Sequence, residues 1–186
     1  MSVQLLRRSF TVGEYHRMAE AGILRENDRV ELLEGEILEM TPIGSRHAAC
    51  VNRLNRLFSA QVGTLALISV QNPIQLGEHS EPQPDLALLR PRADFYAKAH
   101  PGPEDVLLVV EVAETSAESD RAIKVPLYAR AGIPETWLVD LAGQCVEVRR
   151  KPTPQGYEEV QQLRRGQHIF PLAFSDLGIA VDEIVG

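Results

Sequence analysis

The sequence predicts a mixed α/β domain in which helices pack on a central, largely antiparallel sheet. Three segments read as helices, from cap and stop residues or from apolar residues at helical spacing, and the runs between them are short, rich in Val, Leu and Ile, and punctuated by Pro and Gly. One run, "DVLLVVEV", is apolar enough to be covered on both faces and marks the centre of the sheet.

The elements follow in order. "FTVGEYHRMAEAGIL" offers Thr11, then Glu14 three residues on, then Gly22, a capping box and a C-terminal stop around a short first helix. "RVELLEGEILEM" alternates about Glu34-Gly35 and predicts a hairpin. Ser45 is placed to cap a second helix, in which Ala48, Val51, Leu54, Phe58 and Val62 recur at helical spacing, with Arg46, Asn52, Arg53 and Arg56 mostly elsewhere on the cylinder. Strands are expected at "LALISV", "PIQLG", "DLALLR" and "DVLLVVEV", with "RPRADFYAKAHPGPED" as one long exposed loop. Residues 117 to 131 predict a third helix ended by Gly132 and Pro134, followed by strands at "TWLVDL", "CVEVRR" and "YEEVQQL". The tail holds apolar residues without a readable pattern.

At 186 residues, 44% hydrophobic and 24% charged, the chain can bury one sizeable core and reads as a single domain over residues 1 to 186. The start "MSVQLLRRSF" lacks the apolar segment of a signal peptide, and no apolar run is long enough to span a bilayer, so the expected compartment is the cytoplasm and no membrane partner is expected. Cys50 and Cys145 have no metal-like spacing and fall in apolar segments, as reduced, packed thiols do. A net charge of −7 and a pI near 5.3 argue against coating nucleic acid by bulk electrostatics. Local basic groups remain, at Arg46, Arg53 and Arg56, at Arg149, Arg150 and Lys151, and at Arg164 and Arg165, each read most simply as solvated surface.

The chemistry-bearing residues centre on Glu111. It closes the most apolar strand, where an unpaired buried carboxylate would be costly, so it should be neutralised, paired or bound to a metal. A strand-end head group reaching water is the simpler reading for Glu111 alone. Asp85, held after Pro84 in "QPDLALL", changes the weighting. If the two strands are antiparallel neighbours, the start of one meets the end of the other and the carboxylates converge. Mg²⁺ or Mn²⁺, hard cations that take carboxylates, waters and a substrate phosphate, suit such a pair. Lys124 follows on the third helix with Asp120 and Tyr128 at i, i+4, i+8 spacing, where a helix doubling back over the sheet would bring the ammonium to the same edge. Its competing reading is a surface ion pair with Asp120 worth about 0.3 kcal/mol. Glu31 in the hairpin and His47 in the first turn of the second helix can join this edge, or can be the polar face of a strand and an exposed helix start. Trp137 reads as core and Asp140 as a turn residue.

The ordered set "RVELLEGEI", Arg46-His47, "QPDLALL", "VVEVAETS" and "DRAIKVPLYARAGIPETWLVDL" resembles the Uma2 family, also called DUF820, of the PD-(D/E)XK restriction-endonuclease-like superfamily. The likeness runs from about residue 10 to the C-terminus and is most specific over residues 111 to 141. It implies a restriction-endonuclease-like core and metal-dependent hydrolysis of nucleic-acid phosphodiesters, with DNA favoured. By the resemblance, Pro84-Asp85 is the "PD" element and Glu111 the second acidic ligand. Ala113 stands where the superfamily has its lysine, and Lys124 matches the lysine that Uma2-like sequences carry on the following helix, accompanied by Asp120 and Tyr128. Glu31 matches the family's early acidic residue and His47 its histidine before the second helix. Glu114 replaces a more usual Ser.

Two other functions fit the same residues: a binding or assembly module that keeps the fold without turnover, and a nuclease subunit whose partner supplies nucleic-acid affinity. Homodimerisation through the C-terminal antiparallel strands is compatible with the pattern, though no residue fixes it.

Overall fold

The structure, a computed structural model, describes residues 7–25, 27–114 and 116–186. The first six residues of the N-terminal stretch read for a leader lie outside them. Helix α1 (Val12–Glu20) begins at the capping box expected from sequence: Glu14 N donates to Thr11 Oγ1 at 3.1 Å, and Thr11 N donates to Glu14 Oε2 at 3.0 Å. This satisfies two of the helix's free amides. Strands β1 (Val30–Leu33) and β2 (Glu36–Glu39) form the hairpin, turned by Glu34 and Gly35 at φ of 50° and 81°.

Helix α2 (Ser45–Val62) buries Cys50, Val51, Leu54, Phe58 and Val62 along one stripe, as its spacing requires. Its cap is Gly44, not Ser45, and Gly44 has no side chain to cap with. Ser45 already has helical geometry, so its hydroxyl cannot serve the amides that a preceding residue reaches.

Strands β3 (Leu67–Val70), β4 (Leu86–Leu89), β5 (Val106–Ala113), β6 (Glu135–Asp140), β7 (Cys145–Thr153) and β8 (Gly156–Arg164) make a six-stranded sheet in that order. The β5–β6 pair is parallel and the other pairs are antiparallel. A parallel pair needs a crossover, which α3 (Ala117–Ala122) and α4 (Lys124–Arg130) provide. The third helix expected from sequence is thus two helices, broken at Ile123. Pro126 explains the break: it has no N–H for the Ala122 carbonyl, and its ring crowds that carbonyl.

The expected strand at "PIQLG" is not one. Residues 72–83 form an arm closed on itself by Ile74 N to Pro82 O at 3.0 Å and Leu76 N to Ser80 O at 2.9 Å. Pro73 supplies no amide for a ladder, and the arm's apolar residue Ile74 is buried against the sheet instead. Residues 91–101 form a turn-rich surface loop, as expected, in which Phe95 and Tyr96 adopt φ of 51° and 61°.

Side-chain alternation sorts the sheet into two faces. Leu86, Leu88, Leu108, Val110 and Val112 pack in one core cluster with α2, whereas Ala87, Leu89 and Val109 pack with Ile74, Tyr128 and Ile133 in another. Each fully buried Leu or Val contributes about 1.5–3 kcal/mol. Trp137 is fully buried, as expected, and both cysteines are buried and free.

The tail, unreadable from sequence, adds β9 (His168–Ile169), β10 (Ile179–Ala180) and α5 (Val181–Val185), which packs on α2. Arg53, one of the basic residues read as solvated, donates to the α5 carbonyls of Ile184 and Val185, both at 3.0 Å. Arg150 likewise pairs with the fully buried Glu135 at 2.7 Å. Among the described residues, no helix is long and apolar enough to cross a membrane.

Candidate functional site

Strand register brings the two carboxylates together. Leu86 faces Val110 across antiparallel β4 and β5, and one further step puts Asp85 beside Glu111. Period-two alternation turns Glu111 toward Tyr128 and Lys124 of α4, while Asp85, in the bend just before β4, is within reach of the start of α2. Asp85 Oδ2 accepts from Val112 N at 2.8 Å, and its Oδ1 lies 2.8 Å from His47 Nε2. His47 reaches it because the start of α2 stands over this sheet edge. The Asp85 hydrogen bond is the main reason the imidazole pKa is raised; burial opposes it, and Glu114 and Asp120 add to the rise.

Glu111 is 3% exposed. Tyr128, one turn along α4 from Lys124, donates to Glu111 Oε1 at 2.5 Å. Burial pushes the Glu111 carboxyl up to about 8, with Asp85 and Asp120 adding to the rise and the Lys124 ammonium and Tyr128 hydroxyl opposing it. Burial and the same carboxylate hold the Tyr128 hydroxyl well above its usual range.

Lys124 lies 3.1 Å from Glu31 and 3.4 Å from Glu111. Burial alone would lower its pKa, but those carboxylates reverse the sign and keep the ammonium charged. Among the described residues it has no ion pair with Asp120, and its side chain is only 12% exposed, so it is not half of a surface pair. Glu31 is buried on β1, where its other oxygen accepts from Gln83 N at 3.1 Å. Asp120 accepts from Ser116 Oγ at 2.7 Å, and burial raises its pKa.

Glu31, His47, Asp85, Glu111, Asp120 and Lys124 all line one cleft of about 280 Å³. Two contributors escaped sequence reading. Gln71, just past β3, donates to Asp85 Oδ1 at 3.3 Å; a polar residue closing the apolar run "LISV" at the same edge was its signal. Gly44 is the other: a Cβ there would come within 2.7 Å of Glu114 Oε2. Glu114 in turn lies 3.5 Å from Arg46, which partly offsets its charge.

The cleft's donors are carboxylate oxygens, the ligand type hard divalent cations take. Carboxylates outnumber cationic groups around the cleft, so a bound cation would offset both the burial of Glu111, the main cause of its raised pKa, and the smaller repulsion from Asp85 and Asp120.

A family model described as "Uma2: Putative restriction endonuclease" matches residues 12–182. The chain belongs to the Uma2 family. Restriction-endonuclease-like families depend in general on divalent metals, in keeping with the oxygen donors of this Uma2 cleft. No curated protein matches the chain. A crystal structure described as a putative nuclease belonging to DUF820, from Anabaena variabilis, is similar to it with a TM-score of 0.73 and 16% identity, covering 95% of this chain and 97% of that one. The Uma2 chain therefore shares the nuclease fold of that protein.

Proposed function

We propose that this Uma2 chain is an endonuclease that hydrolyses nucleic-acid phosphodiester bonds, DNA foremost, with Mg²⁺ or Mn²⁺ held by Asp85 and Glu111. The observation that carries the reading is the convergence of these carboxylates on one sheet edge, with the Lys124 ammonium between Glu111 and Glu31. A divalent cation so held would lower the pKa of a bound water and offset phosphate charge.

The chain's own residues set the geometry around it. His47 and the Val112 amide fix the Asp85 carboxylate, and Tyr128 fixes Glu111. Lys124 supplies a fixed positive charge beside the reacting phosphate and orients the attacking water. Glu31 holds Lys124 in the cleft and is close enough to add a ligand or accept a proton. Asp120 and Glu114 bound the opening. The α2 N-terminus, which has no acidic residue in its first turn, opens on the same cleft and favours an anionic substrate.

The test is calorimetric Mn²⁺ and Mg²⁺ titration of the wild type, Asp85→Asn and Glu111→Gln, followed by cleavage assays on supercoiled, linear, branched and single-stranded DNA and on RNA. Metal binding lost in both variants, with metal-dependent cleavage by the wild type, is the expected result. Binding that survives both substitutions would overturn the site. The net charge of −7 favours a second reading, a fold-retaining binding module or a subunit that borrows nucleic-acid affinity from a partner. Metal binding without cleavage of any substrate would favour that second reading.

A further inference from the structure

Outside the carboxylate cleft, three separate segments bring His16, Glu81 and His100 to one point. His16 projects from α1, Glu81 from the arm before Asp85, and His100 from the loop between β4 and β5. Their ligand atoms all lie within 4.8 Å of one another. His16 Nε2 stands 2.8 and 3.0 Å from the two Glu81 oxygens, and the two imidazole rings meet edge to face with centroids 6.2 Å apart.

Glu81 is 4% exposed, and among the described residues no lysine or arginine pairs with it. A carboxylate taken that far from water needs a positive partner. His16 offers one only when protonated. A cation shared by all three side chains would offer one at any pH where the imidazoles are neutral.

We propose that His16, Glu81 and His100 form a binding site for a transition cation of the Zn²⁺ class. Two imidazole nitrogens and one carboxylate oxygen are a donor set that suits Zn²⁺ and disfavours Mg²⁺. Ligands about 2.1 Å from a tetrahedral ion stand about 3.4 Å from each other, so small side-chain adjustments suffice to enclose one. The exposure of both histidines leaves the fourth position to water.

The location gives the site a structural role. Glu81 N donates to Leu32 O at 2.7 Å, which bridges the arm to β1. An ion on Glu81 would tie α1 and the long loop to the segment that leads into Asp85 and carries the Gln83 amide bound to Glu31.

The test is Zn²⁺ titration of the full chain in excess Mg²⁺, for the wild type, His16→Ala, His100→Ala and Asp85→Asn, with the thermal midpoint followed at each Zn²⁺ concentration. The expected result is one tightly bound Zn²⁺ in the wild type and in Asp85→Asn, a midpoint that rises with Zn²⁺, and loss of both effects in the histidine variants. His16→Ala removes the partner of a buried carboxylate, whereas His100→Ala alters an exposed loop and keeps the test sound if the first variant folds poorly. Absence of stoichiometric Zn²⁺ binding, or Zn²⁺ binding unchanged in His100→Ala, would overturn the proposal. So would Zn²⁺ binding abolished only by Asp85→Asn, because the ion would then sit in the carboxylate cleft.

Discussion

The Lys124 ammonium lies 3.1 Å from the Glu31 carboxylate, joining the first turn of α4 to a hairpin outside the main sheet. Lys124→Met keeps the length of the stem and removes the charge. Cleavage is expected to fall about a hundredfold, the scale of losing one preorganised electrostatic contact, while Mn²⁺ affinity holds or rises because a competing cation is gone. Single-turnover kinetics and calorimetry on the same preparation check both halves.

Glu111 gives a pH dependence with a definite sign. Burial lifts its carboxyl from 4.5 to about 8, so between those values the folded chain keeps a proton that the unfolded chain has released. Stability without added cation should therefore fall as pH rises through this window and level off above it. His47, whose raised pKa also makes the folded state the better proton binder, adds to the decline. Glu111→Gln accepts the Tyr128 hydroxyl but cannot ionise, so urea unfolding across the window should give a flatter curve than the wild type. In the wild type, Mn²⁺ binding should strengthen over the same range, because it displaces that proton.

Tyr128→Phe deletes the hydroxyl that Glu111 accepts at 2.5 Å and leaves a buried carboxyl short of a donor. The expected loss is about 1–3 kcal/mol in urea unfolding, accompanied by weaker metal binding as Glu111 gains freedom. A stability loss with unchanged metal affinity would limit Tyr128 to packing.

Arg150→Ala tests a pair remote from the cleft's chemistry. It strips the guanidinium from Glu135, which is fully buried and also accepts from Trp137 Nε1 at 2.9 Å. Stability should drop by about 3 kcal/mol with Mn²⁺ titration at the Asp85 site unaltered.

Some of the fold was legible because its causes are local. The Thr11–Glu14 capping box, the Glu34-Gly35 turn and the apolar stripe of α2 each rest on residues close in sequence. The break at Ile123 was also written in the chain, since Pro126 dictates it, but helical spacing on both sides of the break masked it. "PIQLG" misled because a short apolar run fits a strand or a buried arm equally well, and only the partner it packs against distinguishes them. Gln71 and the Gly44 contact belong to loops, whose paths no periodicity describes.

Sequence alone specifies the two apolar strands and the alternation within each, because side-chain direction in a strand is a property of covalent geometry, whereas the meeting of Asp85 with Glu111 comes from the β4–β5 register. Whether Lys124 pairs with Asp120 on the surface or enters the cleft was decided by tertiary structure alone. Spacing of four residues fixes neighbours within one helix, but the approach of α4 to β1 and β5 depends on how the crossover packs over the sheet. The same holds for His16, Glu81 and His100, which share no spacing and meet only because three segments pack against one another.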